Sequence, residues 1–493
     1  MFTSGNDQAR RSFVGVLIAA ALMASGCDLA PKYSRPSVAT PPAYKEPAAQ
    51  ASADGTVWKP AEPRDTQTRG DWWELFNDQK LDEYESRLDG SNQNIASAAA
   101  AFLAARAVVA QSRAGYFPTV GMSPSVTRSH ASANTSGVTS NRTFTDYALP
   151  FDASWEIDFW GKTRNAVAAN VFAAQAGAAE LESVRLSAHA ELAVDYYELR
   201  AQDAFQVLLD SAAAADGESL SLLRTLNKAG VDSDQTVAQA QALFEAARAQ
   251  AANAGILRAQ YEHAIATLLG VSASDFAIPP EPFRPPDPAI PAGIPSDLLE
   301  RRPDIASAER AVAEANARIG VARAAYFPSL TLGASGGFES FSAANWLTWP
   351  SRFWSLGAGA AETLFDAGLR RATVRQYKAL YEETVADYRQ TVLSAFQQVE
   401  DDLASVRISS EDVRAQNAAV DAGRRNVEEA EARYKTGLAS DLELLAAETS
   451  LYALDQTALS FRIQQVVANV RLIEALGGSW DVSKLPTPRE VRR

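Results

Sequence analysis

The sequence predicts a mixed α/β membrane protein, in which four β-strands per chain join long antiparallel coiled-coil helices and need other chains to close a barrel. Three observations predict it: an internal two-fold repeat, strict apolar/polar alternation over a dozen residues, and two proline-free stretches of 68 residues. Spanning barrels have at least ~8 strands and lipid does not tolerate open sheet edges, so oligomerisation must complete the barrel. Three chains would supply twelve strands.

The first residues read as a secretory signal over 1–26. Arg10 and Arg11 precede an apolar run at 13–23, followed by Ala24-Ser25-Gly26-Cys27. The run has 11 residues, and a spanning helix needs ~20, so a retained transmembrane helix is not expected. Cys27 is the only cysteine, and it stands where a bacterial lipoprotein signal peptidase leaves a lipid-modified first residue. The position three before it is Ala24, where such sites usually carry leucine. A covalent lipid on Cys27 is expected, with no other cofactor. Residues 27–70, rich in Pro and Ala without an apolar period, read as a lipidated extended tail.

The repeat comes next. Residues 94–120 align without gaps to 304–330 at an offset of 210, with 12 identities in 27 positions. A second register, offset by 207, pairs Asp195 with Asp402, Arg200 with Arg407 and Gly230 with Gly437. The copies are assigned to 71–274 and 298–477. A linker at 275–297 with eight prolines separates them, and 478–493 is left as a C-terminal tail.

Each copy starts with a helix that proline ends at a repeated Tyr-Phe-Pro, Tyr116-Phe117-Pro118 and Tyr326-Phe327-Pro328. Strand pairs follow at about 118–158 and 328–366. Leu149, Phe151, Ala153, Trp155 and Ile157 alternate with Asp152, Ser154, Glu156 and Asp158, and Leu330, Leu332 and Ala334 are matched by a return through Trp354, Leu356 and Ala358. Trp155, Trp160, Trp346, Trp349 and Trp354 lie near strand ends or loops and suit interfacial belts.

Long helices close each copy. Residues 161–228 and 368–435 contain no proline, and at ~1.5 Å per residue each would span on the order of 100 Å. In the second, Val399, Val406, Val413, Val420, Val427 and Tyr434 recur every seven residues, the coiled-coil period. The companion positions Leu403, Ser410, Asn417 and Arg424 turn polar, which suits a thin helical wall wet on one side. Glycine turns at Gly230 and Gly437 lead into shorter returning helices.

Composition removes several function classes. A lone cysteine and three separated histidines, His130, His189 and His263, give no metal-ligand spacing. A net charge of −14 with no basic cluster argues against a nucleic-acid partner. No phosphate-binding GxxxxGK[ST] loop occurs. Gly333-Ala334-Ser335-Gly336-Gly337 matches GxSxG, but no histidine follows His263 to complete a triad, so no enzyme is expected.

Several segments carry a family resemblance: Cys27-Asp28-Leu29-Ala30-Pro31-Lys32-Tyr33, Asp71-Trp72-Trp73-Glu74-Leu75-Phe76, Arg301-Arg302-Pro303-Asp304-Ile305, both Tyr-Phe-Pro sites, Leu364-Phe365-Asp366-Ala367-Gly368 and Arg433-Tyr434-Lys435-Thr436-Gly437. The chain resembles the TolC-like outer-membrane efflux channels, specifically the NodT-type lipoproteins of resistance-nodulation-division tripartite pumps. The resemblance implies a homotrimer whose twelve-stranded outer-membrane barrel continues as a helical tunnel through the periplasm. It also implies docking on a periplasmic adaptor and a proton-driven inner-membrane transporter, with passive export of drugs or other small molecules. The adaptor-docking helix turns would be those at Gly230 and Gly437, and the tunnel's closed end would lie there too. In relatives a tyrosine three before the turn glycine helps lock this end, which maps to Tyr434. Relatives carry aspartate rings a few residues later; here that position is Ala446, and the acids are Asp232, Asp234, Asp441, Glu443 and Glu448. Threefold copies of these would make a cation-selective constriction. Asp28 after the lipid cysteine resembles an inner-membrane retention signal of enteric bacteria, which the strands outrank because they have no use there. The alternative is a periplasmic coiled-coil lipoprotein acting as scaffold or adaptor. An adaptor carries one helical hairpin, so the duplication speaks against it.

Overall fold

The computed structural model describes residues 29–46, 71–130, 143–286, 288, 290 and 297–492. The signal segment, Cys27, the rest of the tail to residue 70, the loop at 131–142 and part of the proline-rich linker lie outside the described residues. A short 3-10 turn, Trp72–Phe76, leads into α1 (Gln79–Ser91), α2 (Gln93–Ala114), β1 (Thr119–Met122), β2 (Ser125–His130), β3 (Thr143–Glu156), α3 (Lys162–Lys228) and α4 (Asp234–Leu268). The second half has a one-turn helix, Leu298–Arg301, then α5 (Pro303–Ala324), β4 (Ser329–Ser340), β5 (Arg352–Ala361), α6 (Leu369–Lys435) and α7 (Asp441–Ala475). The halves are matched in length: α2 and α5 have 22 residues each, α3 and α6 have 67, and α4 and α7 have 35.

The five strand segments make four passes. β1 and β2 pair with β3 in one continuous register, Met122 opposite Phe151 and Ser125 opposite Ala148, and between them the Ser123 N–H donates to Pro150 O at 3.3 Å. Pro124 has no N–H to donate, so it interrupts the ladder without ending the strand. The strands stop short of the expected limits at 158 and 366, because Asp158 and Asp366 turn the chain into the long helices. Asp158 accepts from the N–H groups of Thr163 and Arg164, each at 2.9 Å, and Asp366 from those of Gly368 and Arg370 at 2.9 and 3.2 Å.

The sheet order is β1/β2, β3, β4, β5, antiparallel throughout. Directly paired residues share a face, so the register defines two surfaces. One carries the rows Met122, Phe151, Gly336, Trp354 and Val120, Ala153, Ala334, Leu356; the other carries Gly121, Asp152, Ser335, Ser355 and Thr119, Ser154, Gly333, Gly357. The first face is apolar yet open, with Trp354 and Leu356 each 75% exposed. The GxSxG match lies within β4 and not at a strand-to-helix elbow. Aromatic side chains mark both rims. At one, Trp160 stacks on Phe327 at 4.6 Å and its indole N–H donates to Pro328 O at 2.8 Å; at the other, Tyr147 packs on Trp346 at 5.7 Å and the Arg352 guanidinium lies 4.0 Å from the Trp349 ring. Residues 146 to 156 of β3 span ~34 Å, or roughly 24 Å of height at ~45° tilt, the thickness of an outer-membrane apolar band.

The helices lie side by side in the order α2, α3, α5, α6, with α4 returning along α3 and α7 along α6. Alanine lines these contacts, so the wall is thin and full burial is concentrated at mid-length. There Trp72, Trp73, Tyr196, Tyr197, Tyr388 and Val399 form one cluster with α1 and the ends of α4 and α7. His189 is buried beside it. Its Nδ1 lies 2.6 Å from the Glu85 carboxylate and its ring stacks on Trp73 at 4.4 Å. Burial pushes the Glu85 carboxyl up to about 7, the hydrogen bond from His189 opposing it.

Two extended segments strap this belt at equivalent points. Arg200 donates to Pro279 O at 2.8 Å and Arg258 to Ile278 O at 2.5 Å, binding the linker to the first half. Arg407, 207 residues after Arg200, holds the Glu46 carboxylate at 2.9 Å, while Glu400 accepts from the N–H groups of Lys45 and Glu46. The segment 29–46 is therefore bound along the second half, with Asn316 donating to Pro31 O at 2.8 Å. Residues after 477 are no free tail either: Trp480 is buried against Ala179 and Ala306, and Val491 against Val109 and Val167.

Two glycines, 207 residues apart, seat the returning helices against the belt. Gly270 and Gly477 both have positive φ, and a Cβ would lie 2.3 Å from Ser91 O in one case and 2.0 Å from Arg301 O in the other. Gly437 also has positive φ, but nothing lies within 4 Å. Gly477→Ala is expected to cost about 3 kcal/mol or more, and Gly437→Ala about 1 kcal/mol. Thermal unfolding in detergent checks this, and equal losses would show that the close approach carries no energy.

Candidate functional site

The candidate site is the pair of helix turns at the far end of the long helices. Each turn satisfies the orphan carbonyls in the same way. Val231 N–H donates to Leu226 O and Gly230 N–H to Asn227 O, both at 2.9 Å; Leu438 N–H donates to Arg433 O at 2.8 Å and Gly437 N–H to Tyr434 O at 2.9 Å. This double bond pattern needs a left-handed residue, supplied by Gly230 with φ 76° and Gly437 with φ 74°. Ser233 and Ser440 then cap α4 and α7, accepting from the N–H groups of Thr236 and Glu443. The residue after each glycine is apolar and uncovered, Val231 being 72% and Leu438 73% exposed.

The acids at this end divide into two groups. Asp234 is exposed and tied within its own turn, its carboxylate accepting from the Asn227 amide at 3.0 Å. Glu443 is exposed and 4.0 Å from Arg433, an interaction that water largely screens. Asp232, Asp441 and Glu448 are half-buried. Burial raises the Asp441 carboxyl, with Asp232 adding to it, and burial raises Glu448, with Asp441, Asp216 and Glu431 adding. One Asp441 carboxylate oxygen is buried without a hydrogen-bond partner. Tyr434 is half-buried in the last turn of α6.

The structure adds Asp216, which the sequence reading missed. It is buried in α3, its carboxyl is raised by burial, and its charge reaches Glu448 and Tyr452 on α7. The repeat contained a signal: the position 207 residues on is Gly423, so an acid stands in one copy alone. A second pair of acids lies at mid-length. Asp195 and Asp402, equivalent in the two copies, are each pushed up to about 6 by burial, with Arg471 opposing both shifts. Among the described residues no group of three His, Cys, Asp or Glu could hold a metal ion. Cys27 lies outside the described residues.

Two stretches, 86–271 and 294–478, match the family model described as outer membrane efflux protein. Curated relatives include the probable efflux pump outer membrane protein TtgC of Pseudomonas putida, 31% identical over 467 residues that cover 94% of this chain and 95% of the relative. The pyoverdine export outer membrane protein OpmQ of Pseudomonas aeruginosa is 29% identical, covering 94% and 96%. Among solved structures, the outer-membrane channel OprN aligns with a TM-score of 0.84 at 27% identity, over 92% of this chain and 99% of that one. The open-state MtrE outer membrane channel of Neisseria gonorrhoeae gives 0.81 at 25% identity, over 92% and 99%. The chain therefore belongs to the outer membrane efflux protein family, a non-enzymatic transport duct seated in the outer membrane and reaching into the periplasm.

Proposed function

We propose that three copies of this chain form one continuous duct, a twelve-stranded barrel above a helical tunnel, and that the duct is the exit channel of a tripartite efflux pump. The observation that carries the reading is the four-stranded sheet with one apolar face, one polar face and two outer edges, at β1/β2 and β5, that have no partner strand among the described residues. An unpaired strand edge in lipid costs several kcal/mol per backbone group, so β5 of one chain pairs with β1/β2 of the next. Two further features support the assembly. α2 is mostly exposed, and its residues 95–112 are apolar or small at nearly every position, a surface that a neighbouring chain would cover. Within one chain Trp160 stacks on Phe327 at the seam between copies, whereas Phe117, the counterpart of Phe327 in the first copy, stands 68% exposed, and Phe365 at the far edge stands 87% exposed.

The duct takes its cargo passively from a periplasmic adaptor and an inner-membrane resistance-nodulation-division transporter, exporting drugs or other small molecules. The exposed Val231 and Leu438, beside Gly230 and Gly437, give an adaptor its docking points. Asp216, Asp232, Asp441, Glu448 and Tyr434 form the gate, and Asp234 and Glu443 brace the turns around it. Cys27 carries the lipid anchor. Leu29, two residues later, accepts at its carbonyl from Arg323 at 3.2 Å, and Arg323 precedes the first residue of β4 by six positions, so the tail starts at the foot of the barrel.

Purified protein in detergent is expected at about three chain masses and conducting in planar bilayers; a non-conducting monomer would sink the reading. At the gate the raised carboxyls fix the sign of the pH effect. Their neutral forms favour the packed tip, so its stability is full below the ordinary carboxylate pKa of ~4 and is lost as pH rises through the elevated folded values. Conductance and cation preference should therefore increase with pH, and the triple variant Asp216→Asn, Asp441→Asn, Glu448→Gln should give small currents independent of pH; a variant that keeps the pH response removes these three from the gate. Cys27→Ser should abolish labelling by radioactive palmitate, and persistent label would place the lipid elsewhere.

A further inference from the structure

We propose that a collar of exposed basic side chains just below the barrel binds anionic phospholipid headgroups of the periplasmic leaflet. The core of the collar is the start of α6. Its first ten residues, 369–378, contain Arg370, Arg371, Arg375 and Lys378 and no acid, in a chain whose net charge is −14. Arg370 is committed internally, donating to Asp366 at 2.7 Å and to Glu362 at 2.6 Å. Arg371, Arg375 and Lys378 are exposed, and among the described residues no carboxylate pairs with them. Spaced i, i+4 and i+7, they lie along one stripe of the helix. Seven and fourteen residues beyond Lys378 that stripe reaches Val385 and Val392, which the mid-length belt and the N-terminal segment cover, so the stripe faces outward where the belt ends.

Height selects the partner. At ~1.5 Å per residue the three charges lie roughly 3, 9 and 14 Å along α6 from its first residue, and the headgroup layer extends ~5 to 8 Å beyond the hydrocarbon. Lys32, Arg113 and Arg492 lie at the same level and are also exposed: Arg113, at the end of α2, donates to Arg492 O, and Lys32 follows Pro31, which is bound to α5. The macrodipole disfavours a basic residue in the first turn of a helix, where Arg371 stands. An external anion offsets that cost, and a phosphodiester at this depth is the anion the membrane supplies.

The inference rests on the membrane placement of the barrel and not on transport. The full-length protein would be solubilised in mixed micelles of equal phosphatidylglycerol and phosphatidylcholine, and the lipid retained after gel filtration quantified. The expected result is enrichment of phosphatidylglycerol over the bulk ratio, removed by high salt. Each charge is worth about fivefold in affinity, so Arg371→Gln, Arg375→Gln, Lys378→Gln should bring the retained ratio close to bulk. Arg424→Gln, Arg425→Gln, toward the far end of α6, should leave the enrichment intact. Retention at the bulk ratio by the wild type overturns the proposal, as does undiminished enrichment in the triple variant. Conductance of the triple variant, expected to equal wild type, separates loss of lipid binding from loss of the pore and shows that the variant folds.

Discussion

Lipid offers no hydrogen-bond partner to a peptide group, and the architecture of this chain follows from that absence. Among the described residues four strands satisfy one another along three ladders and leave two edges without a partner strand. The unpaired edges, the uncovered apolar α2 and the exposed Phe117 and Phe365 are all groups that the proposed three-chain assembly would cover.

Away from the membrane the demands reverse. A wall one helix thick has no interior, so small side chains give close lateral approach and little burial. Burial sufficient to fix the fold exists where a second layer is laid on, and the Trp72, Tyr196, Tyr388 cluster marks that level. The layer is held by repetition of one device: an arginine in the long helix, Arg200 or Arg407, grips an extended segment that crosses it. Glycine recurs where that layer meets the helix starts, since Gly270 and Gly477 approach a neighbouring carbonyl more closely than any side chain permits.

Much of this was legible in the residues. The proline-free window from Gly161 begins one residue before α3 and ends with it, because nothing inside it can break a helix. Alternation from Leu149 to Trp155 sorted the faces of β3 correctly, since period two leaves no other sorting. Pro124 was invisible as an interruption, because a missing donor matters only once a partner strand is opposite. Asp216 was missed since nothing local distinguishes a buried helical acid from a solvated one; its partners on α7 lie more than two hundred residues away. The segment 29–46 and the residues after 477 read as tails because neither has a period of its own, and their order comes entirely from the helices beneath them.

The belt at mid-length also sets the mechanics of the far end. From Tyr196 to Lys228 the first long helix runs 32 residues beyond its clamp, a lever arm of ~48 Å at ~1.5 Å per residue. Each degree of tilt at the clamp moves the tip by about 0.8 Å. The tip could thus shift by several ångströms while side chains at the pivot move by less than the width of a methyl group, so the most deeply buried level of the molecule and its distant turns can be the two ends of one motion.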